Sequence, residues 1–380
     1  MCRVCIDCIK EPHLKKLVEE EGESGCCTSC GSISQSIDTS YNRFFQLVKA
    51  LIRYNYSEWD YNTHWGGDSY GSLFYGDSNI LFYESRAQNE DSYEDMVTSI
   101  IDGPVYEDYE KGISVFAGYM EDGQPAGILR SIKSERSRLL LEISERLKTE
   151  NYFIVEDQLK SLLLKYKGRV EKCLPSGAEF FRARIGISET KNAYNMGFEG
   201  EVHYSPYKNS SIGAPPPRIA GEGRINRSGV SFFYAATDKY TAVAEVRPHP
   251  GDHVSIGKFR LTKDVIICDF SNSQIMQFFE NDKLLDEFVH LNTLNVFMNK
   301  TVTPSGREHY TITQLIADCL RQMGYDGVLF NSTVGLGNNL TLFYPGHMQY
   351  MDSDSEVVQV NSIKYDYESL PIISDDDDYY

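Results

Sequence analysis

Two groups of residues in this sequence are spaced for chemistry. The first is cysteine: six of the nine lie within the first 30 residues, where Cys5/Cys8 and Cys27/Cys30 form two Cys-x2-Cys pairs flanked by Cys2 and Cys26. Paired thiolates at this spacing can close a tetrahedral Zn2+ site, and four of them leave no open coordination position, so the expected role is structural. A reduced cluster without metal is the other reading, and Cys2 and Cys26 are spare ligands that could stand in for a neighbour. The second group runs through residues 221–248. Arg224 and Arg227 sit among Gly221, Gly223 and Gly229, a setting in which a guanidinium fork reaches a phosphate or carboxylate held near the backbone. Thr237 can cap a helix that carries Thr241 and Glu245 four apart on one face and that Pro248 ends. With Ala242, Val243, Ala244 and Val246 around it, the Glu245 carboxylate is expected to be partly buried, with Tyr234 pointing into the same cleft from the strand before. An ordinary surface Glu beside a core Tyr fits the same spacing.

These groups need elements to position them. HLKKLVEEEG reads as a short amphipathic helix joining the two cysteine pairs, and Gly31 gives the second pair a permissive turn. Over residues 41–168 apolar residues recur at helical spacing in YNRFFQLVKALIRYNY, RSIKSERSRLLLEISERLK and EDQLKSLLLKYK, which predicts an all-helical domain. After Gly168 the pattern turns to strand-like runs at 179–185, 231–236, 254–261, 264–270, 326–330 and 340–345, with helices over about 273–298 and 311–323. The fold class expected is α+β, in four parts: a zinc knuckle over 1–40, a helical domain over 41–168, a catalytic domain over 169–352 and an acidic tail over 353–380. GAPPPRIAGEG, at 213–223, is too rich in Pro and Gly to be an element and reads as a functional loop. His249 and His253 flank a Pro-Gly-Asp turn rather than a metal site, and Arg307, Tyr310 and Gln314 read as packing and capping residues near the second helix.

Composition narrows the function classes. The 380 residues carry 37 Lys and Arg against 55 Asp and Glu, a net charge of −18, which repels a phosphate backbone and makes nucleic acid an unexpected partner. Nine acids against Lys364 alone crowd residues 352–380, so the body is only moderately acidic. No apolar run approaches a membrane span and the start lacks a secretory core, which points to a cytoplasmic protein without a membrane partner.

The segment GRINRSGVSFFYAATDKYTAVAEVRP, followed by GYDGVLFNS at 324–332 and NLTLFYP at 339–345, resembles the RES family, named for its Arg, Glu and Ser. On its pattern the Arg is Arg224, the Asn is Asn226, the Tyr is Tyr234, the Glu is Glu245 and the Ser is Ser332, while the Arg of the opening strand is Arg182 in FFRAR, with Arg184 on the same face. Ile225 stands where many members carry an aromatic residue, and Asn331-Ser332-Thr333 replaces a commoner Pro-Ser or Ser-Ser. The first half resembles the cysteine-knuckle and HEPN-like region of some RES proteins. It lacks the HEPN ribonuclease motif: only His13 and His64 are present, and Arg53 is eleven residues from His64.

The resemblance implies an ADP-ribosyltransferase-like split β-sheet and an NAD+-consuming enzyme that cleaves the nicotinamide–ribose bond by hydrolysis or phosphorolysis. It assigns Glu245 to the ribose and its developing charge, Tyr234 to the nicotinamide ring, Arg224 and Arg182 to the pyrophosphate, and Ser332 to the nicotinamide side or the acceptor, with Asn226 lining the substrate site. It further implies a toxin or defence effector held by an antitoxin or regulatory protein, or by its own N-terminal module, and leaves a homo-oligomer open. The alternatives are an ADP-ribosyltransferase acting on a macromolecule and a binding protein built on an inactive scaffold.

Overall fold

The computed structural model describes residues 2–61, 66–101, 130–195, 198–271, 274–302 and 310–370. Its helices are α1 (Pro12–Glu21), α2 (Asn42–Asn55), α3 (Glu58–Tyr61), α4 (Glu90–Ile101), α5 (Arg138–Arg146), α6 (Phe153–Lys165), α7 (Lys239–Glu245), α8 (Asp282–Asn299) and α9 (Tyr310–Gln322). Its strands are β1 (Arg3–Cys5), β2 (Glu23–Cys26), β3 (Ile33–Asp38), β4 (Glu171–Leu174), β5 (Glu179–Ile185), β6 (Glu189–Asn195), β7 (Phe198–Ser205), β8 (Phe233–Ala236), β9 (His253–Leu261), β10 (Val265–Asp269), β11 (Gly327–Asn331), β12 (Asn338–Leu342) and β13 (Met348–Gln359). The chain divides into two compact units, one of Met1–Glu171 with Phe270–Cys319 and one of Lys172–Asp269 with Leu320–Tyr380. Among the described residues no helix is long and apolar enough to cross a membrane.

In the first unit, β1, β3 and β2 form an antiparallel sheet in that order, which the polar run SISQSID concealed at the level of sequence. Helix α1 forms between the cysteine pairs as its pattern predicts: Pro12 opens it, the Glu11 carboxylate accepts from the Leu14 N–H at 2.8 Å, and Leu14, Leu17 and Val18 turn inward. The helical stretch that follows forms α2 to α6, interrupted by three 3-10 turns between Tyr70 and Arg86. Helix α8 groups with this unit although the sequence reading placed it with the catalytic domain. Its Phe288 ring stacks on Phe278 at 4.9 Å and lies 5.8 Å from Tyr54, and His290 Nδ1 hydrogen-bonds the Ser137 hydroxyl that caps α5, at 2.7 Å. The helix begins at Asp282, later than its apolar pattern suggested, because the Asn281 side chain accepts from the Leu284 N–H and fixes the start there. Arg53 is buried, donating to the Arg130 carbonyl and pairing with Asp286 at 3.6 Å, while His13 hydrogen-bonds Glu11. His64 and Arg307 lie outside the described residues.

In the second unit, eight strands form one sheet in the order β13-β9-β5-β8-β12-β11-β10-β4, with β6 and β7 as a separate hairpin. The six strand runs of the sequence reading all become strands of this sheet; the hairpin, whose strands are largely polar, is an addition. Neighbours from β13 to β11 are antiparallel, and β10 and β11 are parallel. Strand β5 pairs with β9 over seven residues but meets β8 at the single pair Phe181/Ala236, so the sheet is pinched into two halves at that junction. Side chains alternate across β8 and β12. Phe233, Ala235, Leu340 and Leu342 enter one core with Phe180, Phe259 and Leu329, and Ala236 packs on the other face with Ala183 and Ala242 of α7. That second face carries Tyr234, paired in register with Thr341, and Asn339, paired with Ala236 and Phe330. The segment after 353 begins as the second half of β13, where Val357 and Val358 pair with Ser255 and Val254.

Candidate functional site

Glu245 is the last residue of α7, a helix whose start differs in detail from expectation. Asp238, not Thr237, is its cap: the Asp238 carboxylate accepts from the Thr241 N–H at 2.8 Å and from the Thr241 hydroxyl at 2.7 Å. Thr237 serves instead as an acceptor for the Asn338 N–H, and Thr241 Oγ1 accepts from the Gly337 N–H, so the loop 332–338 is laced onto the first turn of α7. Only glycine fits at 337, since a Cβ there would lie 2.0 Å from the Asp238 carboxylate and 2.5 Å from Thr237 Oγ1. The loop carries Ser332, whose hydroxyl accepts from the Gly335 N–H at 2.8 Å and the Val334 N–H at 3.2 Å and donates to Glu245 Oε1 at 2.7 Å. Asn339, buried on β12, donates its Nδ2 to the same oxygen at 2.7 Å. Glu245 is exposed rather than partly buried; its carboxylate is oriented by hydrogen bonds and not by an apolar enclosure. Asn339 was missed at the level of sequence. No local signal marks it: NNLTL opens with two adjacent Asn, and strand register decides which of them reaches Glu245.

Tyr234 and Asn226 are also brought together. The Tyr234 hydroxyl donates to Asn226 Oδ1 at 2.6 Å and accepts from the Ile225 N–H at 3.2 Å, while Asn226 Nδ2 reaches the carbonyls of Gly221, Val230 and Arg227. Burial pushes the Tyr234 phenol up, so it stays a neutral hydrogen-bonding group. Gly223 must lack a side chain here, because a Cβ would come within 2.6 Å of Asn226 and 2.8 Å of the Tyr234 hydroxyl. The pair thus fastens the loop of residues 221–230 onto β8 and aims Arg224, whose guanidinium lies over the Phe330 ring at 5.6 Å. Phe330 pairs in register with Asn339. Arg224 and Glu245 therefore sit over neighbouring strands of one sheet face, with Tyr234 two residues along β8 from Ala236, about 7 Å at strand rise.

Arg182 is placed differently from Arg224. Its Nε donates to the Ile212 carbonyl at 2.8 Å and its Nη1 to the Tyr234 carbonyl at 2.7 Å, and its guanidinium lies 5.6 Å from the Phe233 ring. It spans the pinch where β5 and β8 have a single register pair, and burial there lowers its pKa to about 10. Arg182 thus ties β5 to β8 through the Tyr234 carbonyl and to the loop before residue 213 through the Ile212 carbonyl, and Arg184 donates to the Ser211 carbonyl of the same loop and lies over Tyr207. Arg182→Ala would leave two carbonyls without these donors. The expected outcome is a loss of about 2–4 kcal/mol, a drop of roughly 5–10 °C in the melting temperature. A thermal melt unchanged within 1 °C would overturn this bridging role.

In the first unit, the sulfurs of Cys5, Cys8, Cys27 and Cys30 lie within 4.8 Å of one another, three of these residues being buried. Cys5 and Cys30 sulfurs are 3.6 Å apart and those of Cys8 and Cys27 3.9 Å apart. Four thiolates at about 2.3 Å from a tetrahedral ion are about 3.8 Å from each other, so the cluster has the dimensions of a four-sulfur metal centre. Burial pushes the Cys5 thiol up, a cost that a bound cation reverses. Cys26 is exposed and Cys2 lies by Asp95, so neither belongs to the cluster. Among the described residues no other such cluster occurs. The His249 turn closes through the Asp252 carboxylate, which accepts from the His249 N–H, and His253 packs on the Tyr204 ring.

Comparison with known proteins bears on most of the second unit and on the stretch 270–319 that groups with the first. Residues 200–366 match the family model described as RES domain. No curated protein matches the chain. Among solved structures the chain is similar to one in the crystal structure of the M. tuberculosis MbcT-MbcA toxin-antitoxin complex, at 12% identity and a TM-score of 0.29, over 53% of this chain and 92% of that one. The loop that aims Arg224, the helix that ends in Glu245 and the strand that leads to Ser332 all fall within the matched span: residues 200–366 of this chain are a RES domain.

Proposed function

We propose that this chain is an NAD+-consuming enzyme that cleaves the bond between nicotinamide and ribose. The observation that carries the reading is the Glu245 carboxylate, exposed at a helix end yet held by Ser332 and Asn339 through one oxygen, on the sheet face that also carries Arg224. When neutral nicotinamide leaves, the C1′–N bond breaks with its electron pair going to the pyridine nitrogen, and the ribosyl carbon gains positive charge. A carboxylate fixed beside the ribose stabilises that charge, and it does so without reorganising because its hydrogen bonds are already made. Arg224 supplies a cation for the pyrophosphate, with Arg182 supporting the strand that carries Tyr234. The Tyr234 and Asn226 pair shapes the loop, so Tyr234 serves the substrate through its neighbours as well as its ring. Water then adds its oxygen to the ribosyl carbon and releases one proton; phosphate in its place gives the phosphorolytic product. The pinch between β5 and β8 supports an ADP-ribosyltransferase-like split sheet, and the cysteine cluster is read as a structural Zn2+ site in a regulatory module, with an antitoxin as the candidate partner of a toxin or defence effector.

Incubation of purified chain with NAD+, followed by chromatography of the products with and without phosphate, tests the reading. Stoichiometric nicotinamide with free ADP-ribose, or its phosphorylated counterpart, is the expected result. ADP-ribose carried by a protein acceptor would assign a transferase, and unconsumed NAD+ would favour a binding protein.

A further inference from the structure

Glu245 has two carboxylate oxygens, and its surroundings treat them differently. Both hydrogen bonds it accepts converge on Oε1, one from the Ser332 hydroxyl and one from Asn339 Nδ2, each 2.7 Å long. Among the described residues Oε2 has no hydrogen-bond partner. The two donors come from different elements, Ser332 from the loop 332–338 and Asn339 from β12, and each is held in place. Ser332 has its lone pairs occupied by the Val334 and Gly335 N–H groups, so its own proton is left for Glu245. Asn339 is 8% exposed, locked in β12 between β8 and β11, and only its amide nitrogen can face a carboxylate.

We infer that Asn339 is a positioning residue of the active site: with Ser332 it anchors Glu245 through Oε1 and so reserves Oε2 for the substrate ribose. The inference rests on the NAD+-cleaving reading for the identity of the ribose, but the clamp itself is a property of three side chains. It also recasts Ser332, which acts on Glu245 rather than on the nicotinamide side. Two donors on one oxygen fix the rotation of the carboxylate plane, which a single donor leaves free, and concentrate the uncompensated charge on the other oxygen.

The test uses the full chain with Asn339→Ala and Asn339→Asp, each checked by thermal melt. Asn339→Ala is expected to lower kcat about tenfold with the KM for NAD+ within threefold, since the lost bond orients the carboxylate without contributing to binding. Asn339→Asp keeps the shape but donates to Oε1 only while the introduced carboxyl holds a proton, so its turnover relative to the unsubstituted chain should climb as pH falls from 8 towards 5. A residue needed only for packing would not acquire that pH dependence. Both folded variants retaining kcat within twofold, with an unchanged pH profile, would overturn the inference. A third arm needs no substrate: the side-chain carboxyl carbon resonance of Glu245, assigned by its loss in Glu245→Gln, should move in both Asn339→Ala and Ser332→Ala. If it moves but NAD+ is never consumed, the clamp stands and the functional reading falls. If it stays in place, the clamp falls whatever the turnover.

Discussion

Glu245→Gln is expected to leave NAD+ bound while lowering kcat about a hundredfold or more, the scale of losing one preorganised electrostatic stabiliser. The substitution is suited to the geometry. A glutamine oxygen can accept from Ser332 and Asn339 in place of Oε1, so the side chain keeps its orientation and presents a neutral amide where Oε2 stood. Because Glu245 is exposed, the fold has little to lose, and the melting temperature should stay within about 2 °C. The measurement is kcat beside NAD+ affinity for the same folded preparation. A fall in affinity with kcat unchanged would make Glu245 a binding residue, and turnover within twofold of normal would remove it from the chemistry altogether. The rate effect should exceed that of Asn339→Ala, because one substitution removes the charge and the other only loosens its mount.

What the sequence made legible was the chemistry that local pattern encodes. Alternating apolar residues in EFFRARI gave β5 at its observed bounds, Glu179–Ile185, and the helical stretch before Pro248 gave α7 with Glu245 at its end. Cysteine spacing gave the four cysteines that lie together, because a Cys-x2-Cys turn is a local structure and needs only one distant pairing to complete it. The contents of the site that depend on tertiary register were not legible in the same way. Asn339 reaches Glu245 only because β12 lies between β8 and β11, and nothing local distinguishes it from Asn338 beside it. The resemblance assigns Arg182 to the pyrophosphate, yet its Nε and Nη1 donate to the Ile212 carbonyl of a loop and the Tyr234 carbonyl of β8, contacts that form only when β5 meets β8. Asp238 displaced Thr237 as the cap for a similar reason: both types cap helices well, and the contact of Thr237 with Asn338 decides between them. Helix α8 lies inside the expected domain 169–352 and inside the matched residues 200–366, while the aromatic contacts of Phe288 and the Ser137–His290 bond pack it within the first unit.

The cysteine cluster is where removal of one component should disturb the fold most. Its four sulfurs draw together the turn after β1 and the turn after β2, which also meet through the Cys5 N–H pointing at Cys27 Sγ at 3.4 Å. The sheet of β1, β3 and β2 that these turns close is short and largely polar, with β2 mostly exposed, so it has little apolar burial of its own to rely on. On the reading of a structural Zn2+ site, binding of the ion is worth on the order of 10 kcal/mol against the metal-free unfolded segment. The purified chain is therefore expected to contain about one zinc per molecule, as four thiolates on one ion require. Cys27→Ser combined with Cys30→Ser should remove it entirely, since two oxygens do not replace two thiolates on a borderline-soft ion. Strong chelation should lower the melting transition of the first unit by more than about 10 °C and expose the amides of residues 3–38 to hydrogen exchange. Cys26→Ser, outside the cluster, serves as the control and should leave metal content unchanged. Zinc retained in the double variant would sink the four-ligand assignment, and a metal-free chain with protected amides in β1 and β3 would show that the sheet closes on hydrogen bonding and packing alone.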